Sequence, residues 1–378
     1  MQFTFTEPQE RFRADLKSFL QAEVGPGRGN GGSDRAFSKK LAERGWIGVA
    51  WPKEYGGQGL GAIEQMIYTE QMILANAPRG HHFTAERQVG PSVIRHGTEA
   101  QKREWLPRIV NADVSFALGL SEPGAGSDLA AAATRADRDG DEYRVSGQKI
   151  WTSNAHISDA IWLVVRTDQA APKHKGISCL MVDLESPGIT IRPLFDMTGA
   201  HHFNEVFFDD VRVPIDRRVG EENAGWYILA EHLDFERSGI ERLIDLEFIF
   251  ADVMAEARRQ AKAGTLSKPV RSQLAELALG LELGRLLCYR VAWMQSSGRV
   301  PNAEASTAKI FGTEWSQRMM SVAMKVLGLA GAASAEGAAL AETVRHGYLN
   351  AVSRTIAGGT SEVQRNIVAT RGLGLPRS

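Results

Sequence analysis

The chain has 378 residues, 43% hydrophobic and 24% charged, so it is long enough to bury a sizeable core and is not globally disordered. Its 44 basic and 45 acidic residues leave a net charge of −1, which argues against a general affinity for nucleic acid or an anionic membrane. With only Cys179 and Cys288, a disulfide framework and a cysteine-rich zinc site are excluded.

The spacing of Phe12, Leu16, Phe19 and Leu20 predicts a helix from Thr6 to Val24. A glycine-rich loop, Gly25 to Gly32, leads to a second helix over 36–45. Trp46 to Gly61 reads as a glycine-punctuated loop, and helical periodicity returns over Ile63–Leu74 and Glu99–Val110. Near Ser115 the texture changes to short, alternating, β-branched segments such as EYRVSGQKIW, AIWLVVRTD and HFNEVFFDDVRV, set between turns. From Trp226 to Lys262 the pattern is one long helix or two abutting ones, followed by helices over 270–297, 303–327 and 337–350. The expected organisation is therefore a helical domain over 1–114, a β domain over 115–224 and a helical bundle over 225–378. The opening MQFTFTEPQERFR does not resemble a signal peptide, and no apolar run reaches the roughly 18 residues of a membrane helix, so a cytoplasmic protein is expected.

Three segments carry candidate chemistry. In FALGLSEPGAGSDLA, Phe116 to Ala130, Gly124 and Gly126 permit close backbone approach to a ligand, and Ser121 and Ser127 offer hydroxyls; a plain polar turn is the alternative. It is neither a dinucleotide fingerprint nor a nucleophile elbow, because the third glycine of the first and the second glycine of the other are missing. In GQKIWTSN, Trp151 can present a ring to a planar cofactor while Thr152 and Ser153 bond its edge; a core aromatic is the alternative. In IAGGTSEVQRNIV, Thr360 is a candidate helix cap after Gly358-Gly359. The pairs His81-His82 and His201-His202 are expected to face solvent, line a pocket or bond locally, not to hold a metal.

In order and spacing these segments resemble the acyl-CoA dehydrogenase family of flavoproteins, together with FTFTEPQERFRADLKSFL, GWIGVAWPKEYGGQGLG and NEVFFDDVRVP. The resemblance implies an α+β fold: an N-terminal helical domain, a central β-barrel-like domain and a C-terminal four-helix bundle. It also implies bound FAD. By motif position, Leu118, Leu120 and Ser121 lie near the flavin ring, Trp151, Thr152 and Ser153 hold its other edge, and Thr360 and Glu362 also contact FAD. Ser127, Asp234, Arg237 and Gly359 fall where the family binds the acyl-CoA.

The family reaction removes a proton from the α-carbon of an acyl thioester and a hydride from the β-carbon, which requires a positioned carboxylate. Most members carry that Glu directly before the glycine of the GTS motif; here Gly358 stands there. Some members carry it on the first long helix of the C-terminal domain, where this chain reads Leu233-Asp234-Phe235-Glu236-Arg237. Glu236 is the expected base, and a surface charge group with Glu241 and Arg242 is the alternative. The family's Arg-x-x-Phe-Gly element, which reaches a neighbouring subunit's FAD, is absent over 256–269, where Arg258 or Arg259 would have to compensate. The later Gln-x-x-Gly-Gly element appears as Lys325 to Leu329, with Lys325 able to meet phosphate as a point charge.

The expected function is FAD-dependent α,β-dehydrogenation of an acyl-CoA, of fatty or steroid type, with electrons passed to an electron-transfer flavoprotein. The alternatives are a degenerate subunit completing a partner's site, and a flavin-dependent oxygenase or oxidase on the same fold. A homodimer or homotetramer is the expected assembly, a hetero-oligomer the alternative.

Overall fold

The computed structural model describes residues 4–25, 29, 31–235, 240–332 and 339–376, with the backbone alone for 231–235. Helices α1 (Glu7–Glu23), α2 (Arg35–Glu43), α3 (Ala62–Leu74), α4 (Gly90–His96) and α5 (Glu99–Val110) come first. Strands β1 (Phe116–Gly119), β2 (Arg135–Asp139), β3 (Glu142–Lys149), β4 (Ala160–Arg166), β5 (Ile177–Asp183), β6 (Ile189–Phe195), β7 (His201–Pro214) and β8 (Arg218–Val219) follow. Then come α6 (Gly225–Phe235), α7 (Glu241–Lys262), α8 (Lys268–Ser296), α9 (Asn302–Leu327), α10 (Leu329–Ala332), α11 (Ala339–Arg354) and α12 (Ser361–Ile367).

Helix starts are written in the local sequence. Thr6 and Gln9 form a reciprocal capping box at α1, as do Thr98 and Gln101 at α5, which satisfies backbone donors that the first turn leaves unpaired. The Trp226–Lys262 pattern resolves into α6 and α7, and residues 236–239 between them lie outside the described residues. Sequence periodicity gave no helix over 85–96, where a π-helical turn, Ala85–Val89, runs into α4. Gly90 at that junction is a helix breaker by propensity, but here it admits the Trp51 ring: a Cβ would stand 2.0 Å from the indole.

Packing divides the chain into two units. One comprises Met1–Gly29, Gly61–Ala77 and Arg237–Ser378. Its main core joins Leu243, Leu246 and Val253 of α7, Leu274, Leu277 and Leu281 of α8, Met319, Met320 and Ala323 of α9, and Val344 of α11 in a four-helix bundle. A second cluster seats Met66 and Ile73 of α3 against Ile244 of α7, Val291 of α8 and Ala305 of α9.

The other unit comprises Asn30–Leu60 and Pro78–Glu236. Its sheet runs β6-β7-β3-β2-β4-β5-β8, with β1 parallel to β4. Every residue of β4 is buried. Trp162 and Val164 join a cluster with Trp105, Leu106 and Ile109 of α5 and Ile228 of α6, while Ile161, Leu163 and Val165 join Tyr143, Val145, Val206 and Val213 on the opposite face. A strand covered on both faces explains why AIWLVVR is almost continuously apolar.

Candidate active site

In the sheet-bearing unit, β1 sets the first motif by pairing with β4 from Phe116↔Ala160 to Gly119↔Leu163. Strand alternation leaves Leu118 and Leu120 half-buried on one side while Gly119 packs inward. Beyond them, Glu122 and Ala125 exchange two backbone hydrogen bonds of 3.0 Å, closing the Glu-Pro-Gly-Ala turn. Gly124 and Gly126 have no heavy atom within 4 Å of where a Cβ would stand, so this turn offers open backbone surface. Ser121 is half-buried and Ser127 exposed.

The second motif is fastened to the first from below. Lys149, fully buried at the end of β3, donates to Glu122 Oε1 at 2.7 Å and to Leu120 O at 3.1 Å. Ile150 N donates to Ser121 O at 2.9 Å. Glu122 also accepts from Thr134 N at 2.9 Å and Ala133 N at 2.6 Å. Burial alone would raise the Glu122 carboxyl, but the Lys149 charge and these hydrogen bonds outweigh it and hold the carboxyl below its ordinary range. Burial pulls the Lys149 ammonium down to about 8, against the opposing pull of Glu122. The sequence reading missed this pair. The available signal was period: Tyr143, Val145 and Lys149 are the buried residues of β3, so the lysine occupies a core position.

Trp151 follows with φ of 59°, a left-handed conformation that costs a bulky residue about 1–3 kcal/mol and persists only where surroundings impose it. Its ring is 54% exposed and meets Phe203 edge-on at 5.7 Å. Ser153 is half-buried. Thr152 turns inward and is fully enclosed, its N–H donating to Asn204 O at 3.0 Å. Thr152 thus anchors the loop through its backbone, its hydroxyl enclosed without a hydrogen-bond partner among the described residues, while Trp151 is exposed and Ser153 half-buried.

In the bundle unit, Thr360 caps α12 through Val363 N at 3.2 Å. Gly358 and Gly359 have φ of 65° and 86°, and a Cβ on Gly359 would stand 2.5 Å from Gln364 Nε2. The Gln364 amide in turn donates to Gly358 O at 3.0 Å. Glu362 is exposed, its carboxyl held below the ordinary range by its own N–H and the Thr360 hydroxyl. Lys325 is exposed on α9 and donates to Gln273 at 3.3 Å. Arg258 is exposed, while Arg259 is paired with Glu256. Asp234 lies in α6 with its side chain outside the described residues, and Glu236 and Arg237 lie outside them altogether.

His82 is buried against the Ser38 hydroxyl at 2.8 Å, and His81 contacts Ala112 O at 3.1 Å. Among the described residues no group of three His, Cys, Asp or Glu side chains is placed to hold a metal ion. None of the described helices is long and apolar enough to cross a membrane.

The donor set suits FAD. An isoalloxazine ring needs flat apolar contact with hydrogen bonds at its edges, and Trp151, Leu118 and Leu120 offer the first while the Ser121 and Ser153 hydroxyls offer the second. A phosphate needs donors, and the open Gly124–Ser127 backbone supplies a place for them.

Comparison with known proteins agrees with that chemistry. The N-terminal, middle and C-terminal domain models of acyl-CoA dehydrogenases match residues 6–113, 117–211 and 223–373. The chain belongs to the acyl-CoA dehydrogenase family, whose members are FAD flavoproteins, and is an oxidoreductase acting on acyl-CoA. It is 37% identical to acyl-CoA dehydrogenase FadE26 of Mycobacterium tuberculosis, over 100% of both chains. Among solved structures, the Tcur3481-Tcur3483 steroid ACAD shares 36% identity and a TM-score of 0.89 over 100% of both chains. The ChsE4-ChsE5 complex from Mycobacterium tuberculosis shares 37% identity and a TM-score of 0.87, again over 100% of both chains.

Proposed function

We propose that the protein desaturates the α,β bond of a bulky acyl-CoA of the steroid type, with Glu236 as the base. The observation that carries the cofactor half of this reading is the block in which Lys149 and Ile150 lock two motifs together, presenting Ser121, Trp151 and Ser153 outward. Leu118 and Leu120 give the ring an apolar wall, and Thr360 and Glu362 meet the cofactor from the start of α12. When bound, FAD supplies the acceptor for the hydride that leaves the β-carbon. Glu236 takes the proton from the α-carbon, in place of the carboxylate that Gly358 lacks. Ser127, Asp234, Arg237 and Gly359 orient the thioester. Electrons then pass to an electron-transfer flavoprotein in the cytoplasm. The steroid preference is supported by the 36% identity to a steroid ACAD.

For assembly, a hetero-oligomer is favoured over the homo-oligomer expected from sequence. Residues 256–269 lack the family's arginine element, and Lys325 and Leu329 replace its glutamine and second glycine. The two structural relatives carry paired designations, Tcur3481-Tcur3483 and ChsE4-ChsE5. An apolar stripe of Leu279, Leu283, Leu286 and Trp293 also lies exposed along one face of α8, as a subunit contact requires.

An anaerobic acyl-CoA panel tests the reading. Steroid-type thioesters should bleach the flavin faster than short straight-chain ones, and a reversed order would overturn the substrate class.

A further inference from the structure

We infer that Asn204 is a positioning residue that holds the strained Trp151 loop for the cofactor, and that His156 makes this hold sensitive to acid. The inference rests on the proposed flavin role of Trp151. Asn204 sits on β7, fully buried, directly beneath the loop. Its backbone O accepts from Thr152 N at 3.0 Å, and its side-chain Nδ2 donates to Thr152 O at 2.9 Å. Both backbone polar atoms of Thr152 are therefore tied to one residue. Two positions further on, Asn154 N donates to His202 O at 2.9 Å, with Asn154 itself at φ of 57°. Two left-handed residues, Trp151 and Asn154, thus bracket Thr152 and Ser153, and Trp151 is presented outward because Thr152 is held.

The amide orientation follows from chemistry. A carbonyl only accepts, so the group facing Thr152 O must be the Asn204 NH2. Its second hydrogen points at His156 Nδ1, 3.1 Å away, and Oδ1 faces His201 Nε2 at 2.9 Å. His156 Nδ1 must then be an unprotonated acceptor, and His201 Nε2 must carry a hydrogen. The two imidazoles stack at 4.0 Å. Protonating His156 would set N–H against N–H at Asn204, and the amide could relieve this only by turning its oxygen towards Thr152 O. Protonating His201 at Nδ1 leaves its bond to Asn204 intact.

The titratable groups facing His156 are His201 and His202 from β7. Asp196, just beyond β6, acts on His202, and β1 carries no charged side chain. Burial and the neighbouring histidines hold the His156 imidazole below its ordinary value, so the hold is complete near neutrality and is lost on acidification.

The test labels the full chain with 5-fluorotryptophan and assigns the Trp151 resonance with Trp151→Phe. In the flavin-free protein, Asn204→Ala should shift that resonance at every pH, and FAD affinity should fall about tenfold. The wild-type resonance should move in a single step as pH falls below the ordinary histidine range. His156→Phe, which keeps a stacked ring but offers no acceptor, should retain the neutral-pH position and lose the step; it also serves if Asn204→Ala does not fold. An unmoved resonance in Asn204→Ala, or the same acid step in His156→Phe, overturns the inference. A displaced Trp151 with unchanged FAD affinity overturns its link to the cofactor. A wild-type chain that takes up no FAD even together with an unlike acyl-CoA dehydrogenase chain sinks the proposed function, while the flavin-free resonance still decides the role of Asn204.

Discussion

Lys149 Nζ lies 2.7 Å from Glu122 Oε1 inside the sheet-bearing unit, with the lysine side chain wholly enclosed. Two motifs separated in sequence, Ser-Glu-Pro-Gly and Lys-Ile-Trp-Thr-Ser, are thereby one mechanical piece. Neither charged residue faces outward, so their contribution is to hold Ser121 and Trp151 in place, not to contact a ligand directly.

Lys149→Met should therefore be costly. It leaves the Glu122 carboxylate buried without its cation, a change that typically destabilises by about 3–5 kcal/mol. Denaturant unfolding checks this, and a loss within about 0.5 kcal/mol, the usual range for a surface site, would contradict it.

A second prediction concerns acid. The Ser38 hydroxyl donates to Asp34 O, so His82 Nδ1–H donates to Ser38 and the proton gained in acid would enter at Nε2. Burial, with His81 and Arg79 nearby, pushes His82 down to about 3. Because the folded value is depressed, its stability contribution is intact above the ordinary value of 6.5 and is lost as pH falls from there towards 3. The slope should reach about 1.4 kcal/mol per pH unit for this group. His82→Gln should flatten the stability curve over that window; an unchanged slope would show that His82 does not titrate there.

Much of the fold was legible in the sequence, for identifiable reasons. Thr6-x-x-Gln9 and Thr98-x-x-Gln101 announce helix starts because capping is a local interaction. The continuous apolar run of β4 marks a strand covered on both faces. What escaped depended on distant partners. The turn and helix over 85–96 form around Gly90 because Trp51, far away in sequence, fills the space beside it. Among the candidate cofactor residues, Ser121, Trp151 and Thr360 stood out by type, but Lys149 and Asn204 beneath the first two did not. A lysine and an asparagine ordinarily read as surface residues, and only the sheet shows them buried and hydrogen-bonded.

A third prediction addresses assembly. Expressed alone, the chain should bind FAD poorly, because residues 256–269 lack the family's arginine element and Lys325 and Leu329 stand in place of its glutamine and second glycine. Co-expression with an unlike acyl-CoA dehydrogenase chain should restore one FAD per pair, measured by native mass and flavin absorbance. Full occupancy and activity in the chain alone would eliminate the hetero-oligomer.

A fourth prediction uses Gly358. Its φ of 65° is a conformation in which a side chain is strained by roughly 1–2 kcal/mol. In a Glu236→Gln background, Gly358→Glu should restore a carboxylate at the family's usual position and recover part of the lost activity, with lower thermal stability. No recovery in a folded, flavin-loaded double variant would contradict the equivalence of the two positions.

The most direct test of the central claim is anaerobic mixing of the flavin-loaded protein, with any partner it requires, with its acyl-CoA substrate. The wild type should bleach rapidly. Glu236→Gln, nearly isosteric but unable to accept the α-proton, should keep its flavin and bleach about 10²–10⁴-fold more slowly. Bleaching at the wild-type rate in Glu236→Gln would remove Glu236 from the reaction and contradict the account.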